Sequence, residues 1–115
     1  MTDGFSNTPA PPYYAVIFTS RLGENNIGYE AMGQALVKLA EKQDGYLGIE
    51  TTRGSDRLGI TVSFWKDEES ILAWKNDIKH LSAQKNGIVH WYEHYELRVA
   101  KVERAYSGPE GRSIP

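Results

Sequence analysis

The chain has 115 residues, a formal net charge of −2, 40% hydrophobic and 24% charged residues, and no cysteine. That is the length of one domain with its own core. The composition excludes disulfides, thiol catalysis and thiolate metal sites, and the charge gives no reason to expect nucleic acid or an anionic membrane surface as a partner.

Residues 1–12, MTDGFSNTPAPP, lack both the basic start and the apolar run of a signal peptide, and they read as a flexible tail. No later stretch approaches the ~20 apolar residues of a membrane span. With no disulfides to form, the expected setting is cytoplasmic. Residues 13–22, YYAVIFTSRL, are apolar, β-branched and aromatic and predict a first strand. A turn-rich stretch leads into a helix from Tyr29, marked by Met32, Ala35, Leu36 and Leu39 and stopped by Asp44-Gly45. Residues 46–53 predict a second strand, and Gly54-Ser55-Asp56 turns it into a third.

The third strand alternates strictly. Leu58, Ile60, Val62 and Phe64 share one face and Gly59, Thr61, Ser63 and Trp65 the other, which predicts that the first set lies in a core. The period then changes. Asp67, Glu68 and Glu69 place acids where a helix N-terminus favours them, and Ile71, Trp74, Ile78 and Leu81 recur at helical spacing. Asn76-Asp77 reads as a break, with Asp77 capping a second short helix from Ile78. After Lys85-Asn86-Gly87 a long final strand is expected over residues 88–106, followed by a flexible tail over 107–115.

The order β-α-β-β-α-β predicts an α+β fold of the ferredoxin-like, split β-α-β kind over residues 13–106. It has a four-stranded antiparallel sheet with two helices on one face. The bare face is then rich in Tyr, Trp and Ile, and such a patch calls for a partner. The final strand also exceeds the usual ~5–6 residues, so its outer part is expected to reach a second subunit in a homodimer.

Three segments, GYLGIETTRG, LGITVSFWKDEESILAWKNDIKHLSAQ and WYEHYELRVAKVERAY, together resemble the antibiotic biosynthesis monooxygenase (ABM) family. The signature is Phe64-Trp65 followed by Asp67 and Glu69, then Ala73-Trp74, His80 with Ala83-Gln84, and Val99 with Val102-Glu103-Arg104-Ala105-Tyr106. The resemblance implies a dimeric α+β barrel with a ligand cleft between sheet and helices. It also implies a monooxygenase that oxidises a small aromatic, quinol-type substrate with dioxygen, with no cofactor and no metal. The alternatives it carries are a non-catalytic, ligand-binding or stress-associated dimer and a haem-degrading enzyme.

Several residues are candidates for that site. His80 suits proton transfer to or from a phenol, the task for which histidine is the usual side chain; alternatively it bonds a backbone carbonyl at the helix break. Trp74 and Trp65 offer flat faces and N–H donors to an aromatic ring; alternatively Trp74 only anchors its helix. Glu50 on the Tyr46 face, Ser63, Tyr92 and Arg98 are polar groups able to line the cleft, and Arg98 near Glu50 would instead form a structural ion pair. Tyr92 and Tyr95 alternate to opposite faces, so only one is expected to enter. His90 and His94 share a strand face without a third metal ligand and read as interface residues. The haem branch is disfavoured: Ile17-Phe18-Thr19-Ser20 contains no asparagine to hold iron-bound oxygen, and Ala83 or Gln84 stands where the iron ligand would fall. No nucleotide-binding or hydrolase motif is present.

Overall fold

The β-rich stretch that opens the fold becomes the strand with a neighbour on either side. In the computed structural model, which describes residues 4–84 and 91–109, β1 (Tyr13–Leu22) pairs antiparallel with both β3 (Leu58–Trp65) and β4 (Tyr92–Val102). β2 (Tyr46–Arg53) pairs with the outer edge of β3, giving the order β2-β3-β1-β4. Helices α1 (Tyr29–Glu41) and α2 (Glu68–Gln84) connect the strands. This is the expected ferredoxin-like α+β arrangement.

Registers fix the two faces. Opposite residues share a face, and Tyr14 lies opposite Trp65, Val16 opposite Ser63, Phe18 opposite Thr61 and Ser20 opposite Gly59. Val16 and Trp65 pack with Ala40 of α1 and with Ile71 and Trp74 of α2, so this is the face the helices cover. The expectation for β3 is therefore corrected. Its apolar set, Leu58 to Phe64, points away from the helices, and the small polar set with Trp65 points towards them. Leu58 and Ile60 remain 40% and 42% exposed, whereas Phe64 is half-buried and meets Tyr13 edge-on at 5.8 Å.

α2 is one uninterrupted helix, so the expected break at Asn76-Asp77 does not occur. Asp67 caps it, accepting at Oδ1 from the Ser70 N–H at 2.8 Å and the Ser70 hydroxyl at 2.7 Å. Those bonds hold its carboxyl below the usual carboxylate range. Asp77 does not cap a helix but receives the Gln43 side-chain amide at 2.9 Å, which ties the end of α1 to α2. Gly45 makes the approach of α2 possible, because a Cβ there would collide with the Ser70 side chain.

Two register shifts alter which side chains meet. β2 slips between Tyr46 and Gly48, so Tyr46 faces the helices while Glu50 faces away. β4 slips where Arg21 and Leu22 meet His94 and Tyr92. β4 pairs with β1 throughout Tyr92–Val102, slip included, and residues 103–106 are not strand, so among the described residues no outer part is left over; residues 88–90 of the expected strand lie outside the described residues. The first described residues are tied down: Ser6 donates its N–H to Glu50 Oε2 at 2.9 Å and its hydroxyl to the Ile49 carbonyl at 3.2 Å.

Candidate functional site

The helix-covered face has an aromatic end and a polar end. At the aromatic end Trp65 is fully buried, with its Nε1 donating to Ser63 Oγ at 2.9 Å. Trp74 stacks on it, with ring centroids 4.7 Å apart and an interplanar angle of 29°, and Tyr46 meets its edge at 5.8 Å. Burial, with the nearby Glu41 charge adding to it, pushes the Tyr46 phenol above its usual pKa. Trp74 Nε1 is also shut off from solvent, yet it has no hydrogen-bond partner among the described residues. A buried donor without an acceptor carries a desolvation penalty that a bound acceptor would relieve.

At the other end of β3 the Arg53 side chain crosses the sheet. Gly59 makes room for it: a Cβ at that position would lie 2.6 Å from Arg53 Cζ. Arg53 Nη1 donates to the carbonyls of Ser20 and Arg57 at 3.0 and 2.6 Å. Nη2 donates to Ser20 Oγ at 2.8 Å and to the Tyr29 hydroxyl at 3.3 Å. Tyr29 opens α1 and meets Tyr92 and Trp91 edge-on, both at 5.7 Å. Trp91 is fixed in turn by its Nε1 donating to the Ile27 carbonyl at 2.9 Å.

The shift in β4 brings Tyr92 and Tyr95 to the same face, where both touch Phe18, with centroids 5.2 and 5.4 Å away. The expectation that only one could enter is corrected. Burial first, then hydrogen bonding to Tyr29, holds the Tyr92 phenol well above its ordinary pKa, so it remains a neutral donor at physiological pH.

Between the two ends the sheet stays accessible on the helix side. Thr51 and Thr61 bond each other at 2.7 Å in an exposed position, Phe18 is half-buried, and Tyr95 and Leu97 are 57% and 55% exposed. This open strip across the helix side, floored by threonine, phenylalanine and leucine, is the part of the face that a ligand cleft would use.

Of the candidates read from sequence, this face brings together Trp65, Trp74, Ser63 and Tyr92. Trp65 and Ser63 are consumed by each other and by the stack, which leaves Trp74 and Tyr92 with groups to offer. Glu50 lies on the opposite face, held by Ser6. Arg98, opposite Ile17, shares that face but sits on the other edge of the sheet. Three strand spacings of about 4.8 Å separate it from Glu50, so the expected ion pair does not form. His80 is exposed on α2, half a turn round from the inward Ile71, and is not brought to the cleft. His94 binds Glu96 at 2.7 Å on the open face, and His90 lies outside the described residues. Among the described residues no three His, Cys, Asp or Glu side chains cluster as metal ligands, and no helix is long and apolar enough to cross a membrane.

Arg53, Tyr29 and Ser20 were not singled out from sequence. One signal was available: an isolated glycine inside a strand, here Gly59, marks a close approach by another group.

No family model matches the chain. It is 47% identical over 104 residues to the uncharacterised protein YqjZ of Bacillus subtilis, an alignment covering 90% of this chain and 91% of YqjZ. It is 28% identical over 104 residues to the jasmonate monooxygenase ABM of Pyricularia oryzae, covering 88% of this chain and 48% of that enzyme. The chain thus spans about half of the jasmonate monooxygenase's length. Among solved structures, SnoaB, a cofactor-independent oxygenase from Streptomyces nogalater, matches with a TM-score of 0.63 at 10% identity, covering 81% of this chain and 95% of SnoaB. At that identity the likeness is one of fold.

Proposed function

We propose that this chain, a relative of YqjZ over 90% of its length and ABM-like by its likeness to the jasmonate monooxygenase and to the fold of SnoaB, is a cofactor-independent monooxygenase. Its substrate is a small aromatic, quinol-type molecule held between helices and sheet, and its oxidant is dioxygen. The reading rests above all on Trp74, whose buried indole N–H has no acceptor among the described residues and whose ring stacks on Trp65. The names of the jasmonate monooxygenase and of SnoaB support the same class of chemistry.

In this proposal the substrate supplies every electron. Its anion adds to dioxygen to give a hydroperoxide, which loses water to leave a carbonyl: CH2 + O2 → C=O + H2O. The protein excludes water and aligns the ring at the Trp74 end of the face. Trp74 Nε1 orients the ring through a substrate oxygen. The active form is a homodimer joined through the sheet face the helices leave bare, and its setting is cytoplasmic.

The test is oxygen uptake with anthrones and hydroquinones, using metal-stripped protein. Uptake above the buffer rate that falls at least about tenfold in Trp74→Phe is expected, as for loss of one buried hydrogen bond to substrate. Uptake at the buffer rate with every such compound would defeat the reading.

A further inference from the structure

Arg53 carries the cleft's least compensated charge. Its guanidinium is half-buried on the helix-covered face, and all four of its partners are neutral oxygens: two carbonyls, the Ser20 hydroxyl and the Tyr29 hydroxyl. Among the described residues no carboxylate pairs with it; the ion pairs present there are Arg57 with Glu93 and His94 with Glu96. A guanidinium withdrawn from water in this way lacks the partner that normally offsets its desolvation.

The geometry points to a missing anion. Arg53 Nη1 is fully committed to the carbonyls of Ser20 and Arg57. Along the Nε–Nη2 edge, Nε has no partner among the described residues, and the longest bond of the group, 3.3 Å to Tyr29, leaves Nη2. That edge carries two parallel N–H donors, the Nε one unpaired among the described residues and the Nη2 one held by the long bond to Tyr29 that an incoming oxygen would replace, and such a fork fits the two oxygens of a carboxylate. Next to it stand the Tyr29 and Tyr92 hydroxyls, which hydrogen-bond each other. Beyond these, the Phe18, Tyr95 and Leu97 surface is apolar and open.

We infer that the Arg53 end of the cleft receives a carboxylate borne by an otherwise apolar, aromatic ligand. Arg53 grips the carboxylate through Nε and Nη2, Tyr29 turns its hydroxyl from acceptor to donor, and the ring lies on Phe18, Tyr95 and Leu97. The inference rests on the proposed cleft and adds a chemical class to its ligand. It also gives Gly59 a purpose, since any side chain there would block the arginine's path.

The experiment measures binding of 2-naphthoate, its methyl ester and neutral 2-naphthol by calorimetry, in wild type, Arg53→Lys and Arg53→Gln. Wild type is expected to bind naphthoate at least about tenfold more tightly than the ester or the naphthol, the range of a charged hydrogen bond. That preference should vanish in Arg53→Gln and survive only in part in Arg53→Lys. Arg53 also braces β1 against the β2–β3 turn, so a second measurement uses wild type alone: naphthoate affinity should fall as salt rises, and ester affinity should not. Equal binding of naphthoate and ester by wild type, or no salt dependence, would overturn the carboxylate inference while leaving the cleft intact. Failure of all three probes to bind would overturn the cleft reading together with it.

Discussion

Trp65 and Trp74 form one stack but have different tasks. Trp65 has its N–H satisfied by Ser63 and no exposed surface, so it is core. Trp65→Ala is expected to lose about 3–5 kcal/mol in chemical denaturation, the range for removing a buried aromatic ring. Trp74→Phe keeps a ring on the stack while deleting a donor that bonds nothing among the described residues, so its loss should be well under half as large. A Trp74→Phe variant as unstable as Trp65→Ala would show that the indole has a structural role. The sequence reading found both tryptophans from helical and strand periodicity but could not divide their roles, because periodicity reports a face and not a hydrogen bond. Arg53 was missed for a related reason. It sits at a strand end beside a turn, where a charged residue is unremarkable, and only its passage over Gly59 makes it part of the cleft.

Among the elements, strand and helix limits were nearly all legible, since β1, β2 and β3 are bounded by turn residues and α2 begins at an acidic run. The faces were less legible. The β3 alternation is clear, but it does not say which set lies beneath the helices, and here the polar set with Trp65 does. The slip at Tyr46 reversed the expected facing of Glu50 and the slip at Tyr92 put Tyr92 and Tyr95 on one face, and nothing in the local composition announces either one. The reading of Asn76-Asp77 as a break failed because Asp77 finds its partner, Gln43, on the other helix.

The α2 cap yields a pH prediction. Because its hydrogen bonds to Ser70 lower the pKa of Asp67 below the ordinary aspartate value of 3.8, the folded state favours the ionised form. The contribution is then fully present above that value and is lost as pH falls through the lower, folded pKa. Asp67→Asn keeps a capping oxygen without the titration. The stability difference between wild type and Asp67→Asn, followed by circular dichroism, should be constant above about pH 5 and shrink below about pH 4. A difference independent of pH would remove the charge from the account of the cap.

At the scale of the whole molecule, the bare sheet face is the feature that a lone chain leaves unexplained. Leu58 and Ile60 are exposed there, Ile17, Val62 and Phe64 are half-buried beside them, and residues 93–101 of β4 are exposed on both sides. The sequence reading reached a dimer partly through an overlong last strand, which the full pairing of β4 with β1 removes. The apolar face remains as the ground for it. Light scattering at micromolar concentration is expected to give the mass of a dimer, with over ~1,000 Å² buried in total, and Phe64→Ala should shift that equilibrium towards monomer. A wild-type monomer at those concentrations would refute the assembly.

The chemistry itself is tested most directly by isotope. Metal-stripped protein is supplied with an anthrone-type substrate under 18O2, and the product is weighed by mass spectrometry. One labelled oxygen in the new carbonyl, formed faster than without protein and with no added reductant, is the expected result. An unlabelled carbonyl, or labelling that requires added metal, flavin or reductant, would contradict a cofactor-independent monooxygenase.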